Sequence, residues 1–146
     1  MHASLELDAA PASAGRARRW LRDRLTDWGL VDVEELATLL TSELVTNSFL
    51  HANTPITVRV ERRPDVLRVE VEDLSPLTPV ERRFSVDSGT GRGLRLVAEL
   101  ARRWGSDLLS PPSSGGKRVW FELGLGDGDD DRVGAASDRL DRACTG

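Results

Sequence analysis

The sequence predicts one folded domain of the α/β (α+β) class, and three observations support this prediction. Residues 13–28 and 32–51 carry apolar side chains at the three- and four-residue spacing of amphipathic helices. Residues 56–60 and 67–71 alternate apolar and polar side chains, as strands with one buried face do. A chain of 146 residues with 39% hydrophobic residues is long enough for one domain with a hydrophobic core.

Composition excludes several classes of function. The net charge of −4 and the pI of about 5.2 argue against nucleic acid as a direct partner, because binding phosphates requires a basic excess. No run of 18 apolar residues occurs, so we expect no membrane span, and acidic residues interrupt positions 5–8 as they would not in a signal peptide. Cys144 is the single cysteine, which predicts no internal disulfide and a reducing, cytoplasmic location.

The N-terminal third is predicted to be mainly helical. Residues 1–12 form either an edge strand or a loose tail. Ser13 is the predicted N-cap of the first helix, and Gly29 is suited to end it. Asp32 is the predicted cap of the second helix, which continues to about His51.

Two strands follow, joined by a predicted turn at residues 63–65. Asp73 continues the alternate positions held by the apolar residues Leu67, Val69 and Val71 of the second strand. We therefore expect it to point toward the buried face, where a bare carboxylate is costly. Residues 74–90 have no clear period and contain two prolines, which predicts a loop.

The C-terminal half is predicted to contain one more helix and one more strand. A glycine-rich segment, residues 89–93, precedes a helix expected to extend through Trp104. A loop at 111–116 leads to a closing strand that alternates apolar residues from 119 to 123. From residue 126 onward, acidic and small residues predict a flexible tail, which leaves 13–125 as the folded domain.

Glu43, Asn47 and His51 lie four residues apart and therefore share one face of the second helix. Leu36 and Leu40 predict apolar residues on that face, and polar groups there are costly unless they have partners. Glu43 could act as a general base, and the amide oxygen of Asn47 is a suitable magnesium ligand. The alternative is a hydrogen-bonded polar cluster; for His51 the favoured interpretation is that it satisfies the last carbonyls of the helix.

Two further features have both a structural and a functional interpretation. The glycine-rich segment is either a linker or a phosphate cradle, in which backbone N–H groups and the following helix N-terminus approach an anion. It matches neither the dinucleotide-binding fingerprint nor the P-loop. Asp73 is either a turn-forming residue or a buried acceptor for an exocyclic amine such as that of adenine.

In their order along the chain, these motifs resemble the ATP-binding domain of the GHKL superfamily, which includes gyrase-type and histidine-kinase ATPases. Within it, the chain is most similar to bacterial anti-sigma factors that are also serine-protein kinases, of the stand-alone actinobacterial type. Residues 43–48 with His51-Ala52 resemble the N-box of that group, residues 89–94 its second glycine box, and residues 116–123 its closing strand. The likeness covers about residues 13–125.

The resemblance implies a two-layer sandwich, with helices on one face of a mixed, mainly antiparallel sheet. It implies ATP and Mg²⁺ as cofactors. Glu43 would be the catalytic base, Asn47 would hold magnesium, and Asp73 would recognise the adenine base. The residues implied to line the triphosphate are Gly89, Gly91, Arg92, Gly93 and Leu94.

The function implied is that of a cytoplasmic regulatory serine/threonine-protein kinase. It would phosphorylate an anti-sigma-factor antagonist and sequester a sigma factor, as a homodimer without direct nucleic-acid or membrane contact. The alternative is a non-catalytic, nucleotide-responsive module that binds its partner with weak or lost ATP binding. A phosphohistidine sensor kinase is disfavoured, because no dimerisation helix with an acceptor histidine precedes the domain.

The sequence departs from the family pattern in its first glycine box, its lid and its closing strand, and the first of these departures motivates the non-catalytic alternative. The first glycine box, usually Asp-x-Gly-x-Gly, reads Asp73-Leu74-Ser75-Pro76-Leu77 and contains neither glycine. Residues 78–88 would form a short lid, and Lys117 stands where a small or hydroxyl residue is commoner.

Overall fold

A computed structural model describes residues 1–75, 91–109 and 116–126. Along these residues the elements are β1 (His2–Leu7), α1 (Ser13–Asp27), α2 (Val31–His51), β2 (Ile56–Arg62), β3 (Val66–Asp73), α3 (Gly91–Leu100), β4 (Arg103–Leu108) and β5 (Lys117–Gly124). The strands form one sheet in the order β1-β2-β3-β5-β4, and each neighbouring pair is antiparallel. The predicted fold class, helices packed on a mainly antiparallel sheet, is confirmed.

The hydrophobic core lies between the helices and one face of the sheet. Alternate residues of β2, β3 and β5 point into it, as period-two patterning requires. Burying each large apolar side chain contributes about 1.5–3 kcal/mol. The largest fully buried residues in the described part of the chain are Phe121, Leu21, Leu25, Leu40, Ile56 and Leu67.

The prediction that Gly29 ends the first helix is confirmed by its conformation. Gly29 has φ +73°, a left-handed conformation that costs glycine little. Its N–H donates to the Thr26 carbonyl (3.1 Å), and the Leu30 N–H donates to the Leu25 carbonyl (2.8 Å). This pair of bonds is a Schellman motif, which turns the chain sharply from α1 into α2.

Both predicted helix caps were wrong by one or two residues. Ala12 occupies the N-cap of α1, and the Ser13 hydroxyl donates to the Asp8 carbonyl (2.5 Å) instead of to its own helix. Leu30 occupies the N-cap of α2, so Asp32 lies in the first turn. An acid in the first turn still interacts favourably with the helix dipole.

The first residues of the chain form β1, the strand alternative of the two that the sequence left open. Leu5 and Leu7 face the helices and pack into the core of their own subunit. β1 pairs with β2 from His2 opposite Glu61 to Leu7 opposite Ile56, and so forms one edge of the sheet.

The third helix is shorter than predicted. It ends at Leu100, and Trp104 lies in β4, a strand that sequence reasoning missed. Trp104 pairs with Phe121 in the sheet and packs against the core. Trp104 follows Ala101 by three residues, a spacing that is typical of a helix. A tryptophan at this position can also be buried from a strand, and tertiary packing decides between helix and strand here.

The sheet face opposite the helices carries a network of charged side chains. Arg68 bonds Glu70 (2.8 Å) and Glu122 (3.0 Å), while Arg118 bonds Glu72 (3.0 Å). Burial disfavours the charged form of Arg68, yet its hydrogen bonds with Glu70 and Glu122 outweigh this and raise the pKa of the guanidinium. The charges on this face therefore satisfy one another.

On the same face, the indole of Trp120 lies directly over Gly105. A Cβ at position 105 would stand 2.8 Å from Cζ2 of that ring. The Arg68 guanidinium carbon is 4.1 Å from the ring centroid, which holds the indole in place.

We therefore expect Gly105→Ala to lower the free energy of unfolding by about 1–3 kcal/mol, because a methyl group would displace a rigid ring. Urea unfolding followed by tryptophan fluorescence measures this. The exposed neighbour Ser106 supplies the control, since Ser106→Ala should change stability by about 0.5 kcal/mol or less. Equal effects of the two substitutions would contradict the close contact.

None of the helices in the described ranges is both long and apolar enough to cross a bilayer.

Candidate functional site

The polar stripe of α2 is half-buried rather than fully exposed. Glu43 and Asn47 lie one helical turn apart, and both have intermediate exposure. The Asn47 amide forms no hydrogen bond to the part of the chain that the structure describes. Its oxygen is therefore available to a ligand. His51 is the last residue of α2, and its side chain lies outside the described atoms.

Two other polar residues of α2 differ from the stripe because their hydroxyls are satisfied by the helix itself. Thr38 Oγ1 donates to the Glu34 carbonyl (2.8 Å), and Ser42 Oγ donates to the Leu39 carbonyl (3.2 Å). Such bonds to the preceding turn are the usual local solution for buried hydroxyls. Thr41 Oγ1, by contrast, is buried and has no hydrogen-bond partner in the described part of the chain.

Asp73 ends β3 and is buried, as its parity predicted. Its Oδ1 accepts a hydrogen bond from the Ser75 N–H (2.9 Å), and its Oδ2 accepts one from Lys117 Nζ. The Lys117 and Asp73 side chains are only 3% and 1% exposed. The residue implied to read adenine is thus half of a buried ion pair.

Sequence reasoning noted Lys117 but missed this contact. A signal was present: Lys117 has the inward parity of Val119 and Phe121, as Asp73 has that of the apolar residues of β3. A buried acid and a buried base at the ends of two strands are expected to pair. What the sequence could not supply was the register that places them opposite each other.

A side-chain hydrogen bond brings the ends of α2 and β3 to the same side of the molecule. The Leu74 N–H donates to Thr54 Oγ1 (3.0 Å), and Thr54 lies just beyond the end of α2. Asn47 precedes that end by four residues, about 6 Å along the helix axis. The polar stripe and the Asp73 pair therefore lie at one end of the sandwich.

The glycine-rich segment leads into a helix, as predicted, and α3 begins at Gly91. The first-turn N–H groups of α3, which have no partner within a helix, belong to residues 91–94. α3 packs against α2. Gly89 and the lid at 78–88 lie outside the described residues, as do the side chains of Arg92 and Leu94.

The available groups fit a nucleotide phosphate with magnesium better than a metal held by protein alone. In the described ranges, no three His, Cys, Asp or Glu side chains are grouped to hold a metal ion. Magnesium typically uses one or two protein oxygens and completes its shell with phosphate oxygens and water. Asn47 could supply such an oxygen, and the α3 N-terminus could approach the phosphates.

The chain matches the model of a known protein family. The model of the family described as histidine kinase-, DNA gyrase B-, and HSP90-like ATPase matches residues 32–127, about two thirds of the chain. The matched region begins in α2 and continues past β5, so it includes every candidate site residue. No curated protein was found to match the chain.

Proposed function

Because the chain belongs to the histidine kinase-, DNA gyrase B- and HSP90-like ATPase family, we propose that it binds ATP with Mg²⁺ and acts as a regulatory serine kinase. Its proposed substrate is an anti-sigma-factor antagonist, and its proposed second partner is a sigma factor that it sequesters. The observation that carries this proposal is the pairing of Glu43 with Asn47 on one half-buried face of α2, within the family match.

In this proposal each residue has a separate role. The Asn47 amide oxygen holds the magnesium ion, and the N–H groups at the start of α3 orient the phosphates. Bound ATP supplies the transferable γ-phosphoryl group. The Glu43 carboxylate accepts the proton of the partner's serine hydroxyl as that oxygen forms its bond to phosphorus, and ADP is released.

The proposal also includes a switch between the two partners. A protein that binds either the sigma factor or the antagonist can exchange them when phosphorylation weakens one complex, because a phosphoserine adds about −1.5 to −2 charge units. Cytoplasmic location, which the single cysteine suggests, and a homodimer, which the resemblance to anti-sigma factors suggests, belong to the same proposal. Light scattering of the purified chain measures whether it forms a homodimer.

Isothermal titration of the full chain with ATP, with and without Mg²⁺, tests the nucleotide part. We expect saturable binding that Mg²⁺ strengthens. Asn47→Ala should weaken binding about tenfold in Mg²⁺ and change it little in EDTA, because only the metal contact is lost. The neighbouring Thr46→Ala is the matched control. Loss of affinity independent of Mg²⁺ would contradict the role of Asn47.

A second candidate function is a partner-binding module without phosphoryl transfer. The buried Asp73–Lys117 pair favours it, because the group implied to read the base already has a partner within the protein. The two functions separate in one experiment: the chain is incubated with labelled ATP and with candidate antagonists and sigma factors from the same organism. Labelled serine supports the kinase, whereas a stable complex without label supports the module.

A further inference from the structure

The starting point is the complete internal pairing of the Asp73 carboxylate. Lys117 Nζ donates to one oxygen, and the Ser75 N–H donates to the other at 2.9 Å. Asp73 and Lys117 lie directly opposite each other in the register of β3 and β5. Both carboxylate oxygens therefore have donors from the protein before any ligand binds.

The backbone keeps Lys117 in this position. It begins β5 with the inward parity of the core residues, so its side chain starts on the same face as Asp73. At the preceding Gly116, a Cβ would stand 2.6 Å from the Asp73 carbonyl oxygen. The chain therefore approaches β3 too closely there for a side chain at position 116, and this close approach sets the backbone of Lys117 beside Asp73.

The ion pair with Lys117 weakens the attraction of the Asp73 carboxylate for the exocyclic amine of a purine. A carboxylate binds an exocyclic amine strongly because its acceptor is charged. Here the ammonium of Lys117 neutralises that charge in a site where water does not screen the pair. The lysine ammonium also has three N–H donors and can donate a hydrogen bond to a carbonyl oxygen of a base, just as the Asp73 carboxylate can accept one from an amine.

We propose that Lys117 is a specificity-determining residue that cancels selection of the purine amine by Asp73. This inference rests on the proposed function, since it concerns the same nucleotide. The site then holds purine nucleoside triphosphates through their phosphates and Mg²⁺. It accepts a 6-amino or a 6-carbonyl group with similar affinity.

Calorimetric titration of the full chain with the magnesium complexes of ATP and inosine triphosphate tests this. For the unmodified protein we expect the two dissociation constants to agree within about fivefold. Lys117→Thr frees the carboxylate, and the preference for ATP should then rise by about tenfold to a hundredfold, the range for a hydrogen bond to a charged acceptor. A preference for ATP above about fivefold in the unmodified protein would overturn the proposal.

Two variants control for charge and for folding. Lys117→Arg retains the cation and should keep the unmodified ratio. Asp73→Asn combined with Lys117→Thr removes both charges and should lose the preference that Lys117→Thr alone gains. Circular dichroism and thermal melting establish that each variant is folded. If Lys117→Thr does not fold, the ratio measured on the unmodified protein decides alone.

The outcomes separate this proposal from the proposed function. ATP binding with strong preference over inosine triphosphate in the unmodified chain leaves the nucleotide site standing and overturns the role of Lys117. Binding of ATP only by Lys117→Thr supports the role of Lys117 and overturns ATP binding by the unmodified chain. Absence of binding in every folded variant overturns both.

Discussion

Glu43→Gln is expected to reduce the rate of phosphoryl transfer to the antagonist serine by about 10²–10⁴-fold, the contribution of a positioned general base. Glutamine has nearly the same size but cannot accept the hydroxyl proton. The dissociation constant for Mg-ATP should therefore change by less than about threefold, because the lost interaction forms only during the reaction. Single-turnover labelling and calorimetric titration measure the two quantities.

Glu35 provides the matched control for this prediction, because it is an exposed glutamate on the same helix. Glu35→Gln should leave both the transfer rate and nucleotide binding unchanged. Transfer by Glu43→Gln at the unmodified rate would exclude Glu43 as the base. A parallel loss of rate and ATP affinity would instead assign Glu43 to nucleotide binding.

Phe121→Ala is expected to cost about 3–5 kcal/mol of stability, the range for truncating a buried aromatic side chain. Phe121 is the largest fully buried side chain among the described residues and lies on β5, an interior strand of the sheet between β3 and β4. Truncation leaves a cavity between sheet and helices. Single domains are stable by only about 5–15 kcal/mol, so this change removes a large fraction of the total. Urea unfolding monitored by circular dichroism gives the value.

Arg118→Ala on the same strand is the control for Phe121→Ala. Arg118 points to the opposite face, where it forms partly exposed ion pairs with Glu70 and Glu72. Pairs of this kind contribute about 0–1 kcal/mol. A cost for Arg118→Ala equal to that for Phe121→Ala would contradict the assignment of the two faces.

Much of the fold was predictable because local periodicity and tertiary packing agree. The alternation in β2, β3 and β5 identified both the strands and the inward direction of Asp73. Gly29 was recognised because the left-handed cap favours glycine. Trp104 was assigned to a helix because its position fits both the helical and the strand spacing of apolar residues. Its strand partner Phe121 lies 17 residues further along the chain, too far for a local pattern to reveal the pairing.

The candidate site was predictable to the extent that it depends on one helix. The spacing of Glu43 and Asn47 fixed their common face, and the structure places both at intermediate depth. The partner of Asp73 depends on strand register across 44 residues, which no short pattern encodes. The roles of these residues remain predictions.

The antiparallel pairing of β1 with β2 has a consequence for the order of folding. Leu7 and Ile56 are partners in the sheet, yet the entire α1–α2 hairpin lies between them in sequence. Closing a long loop costs entropy before its contacts are gained, whereas α1 and α2 meet through a tight turn at Gly29. We therefore expect the helical hairpin to assemble early and the N-terminal strand to dock last, with its amide hydrogens the first to exchange.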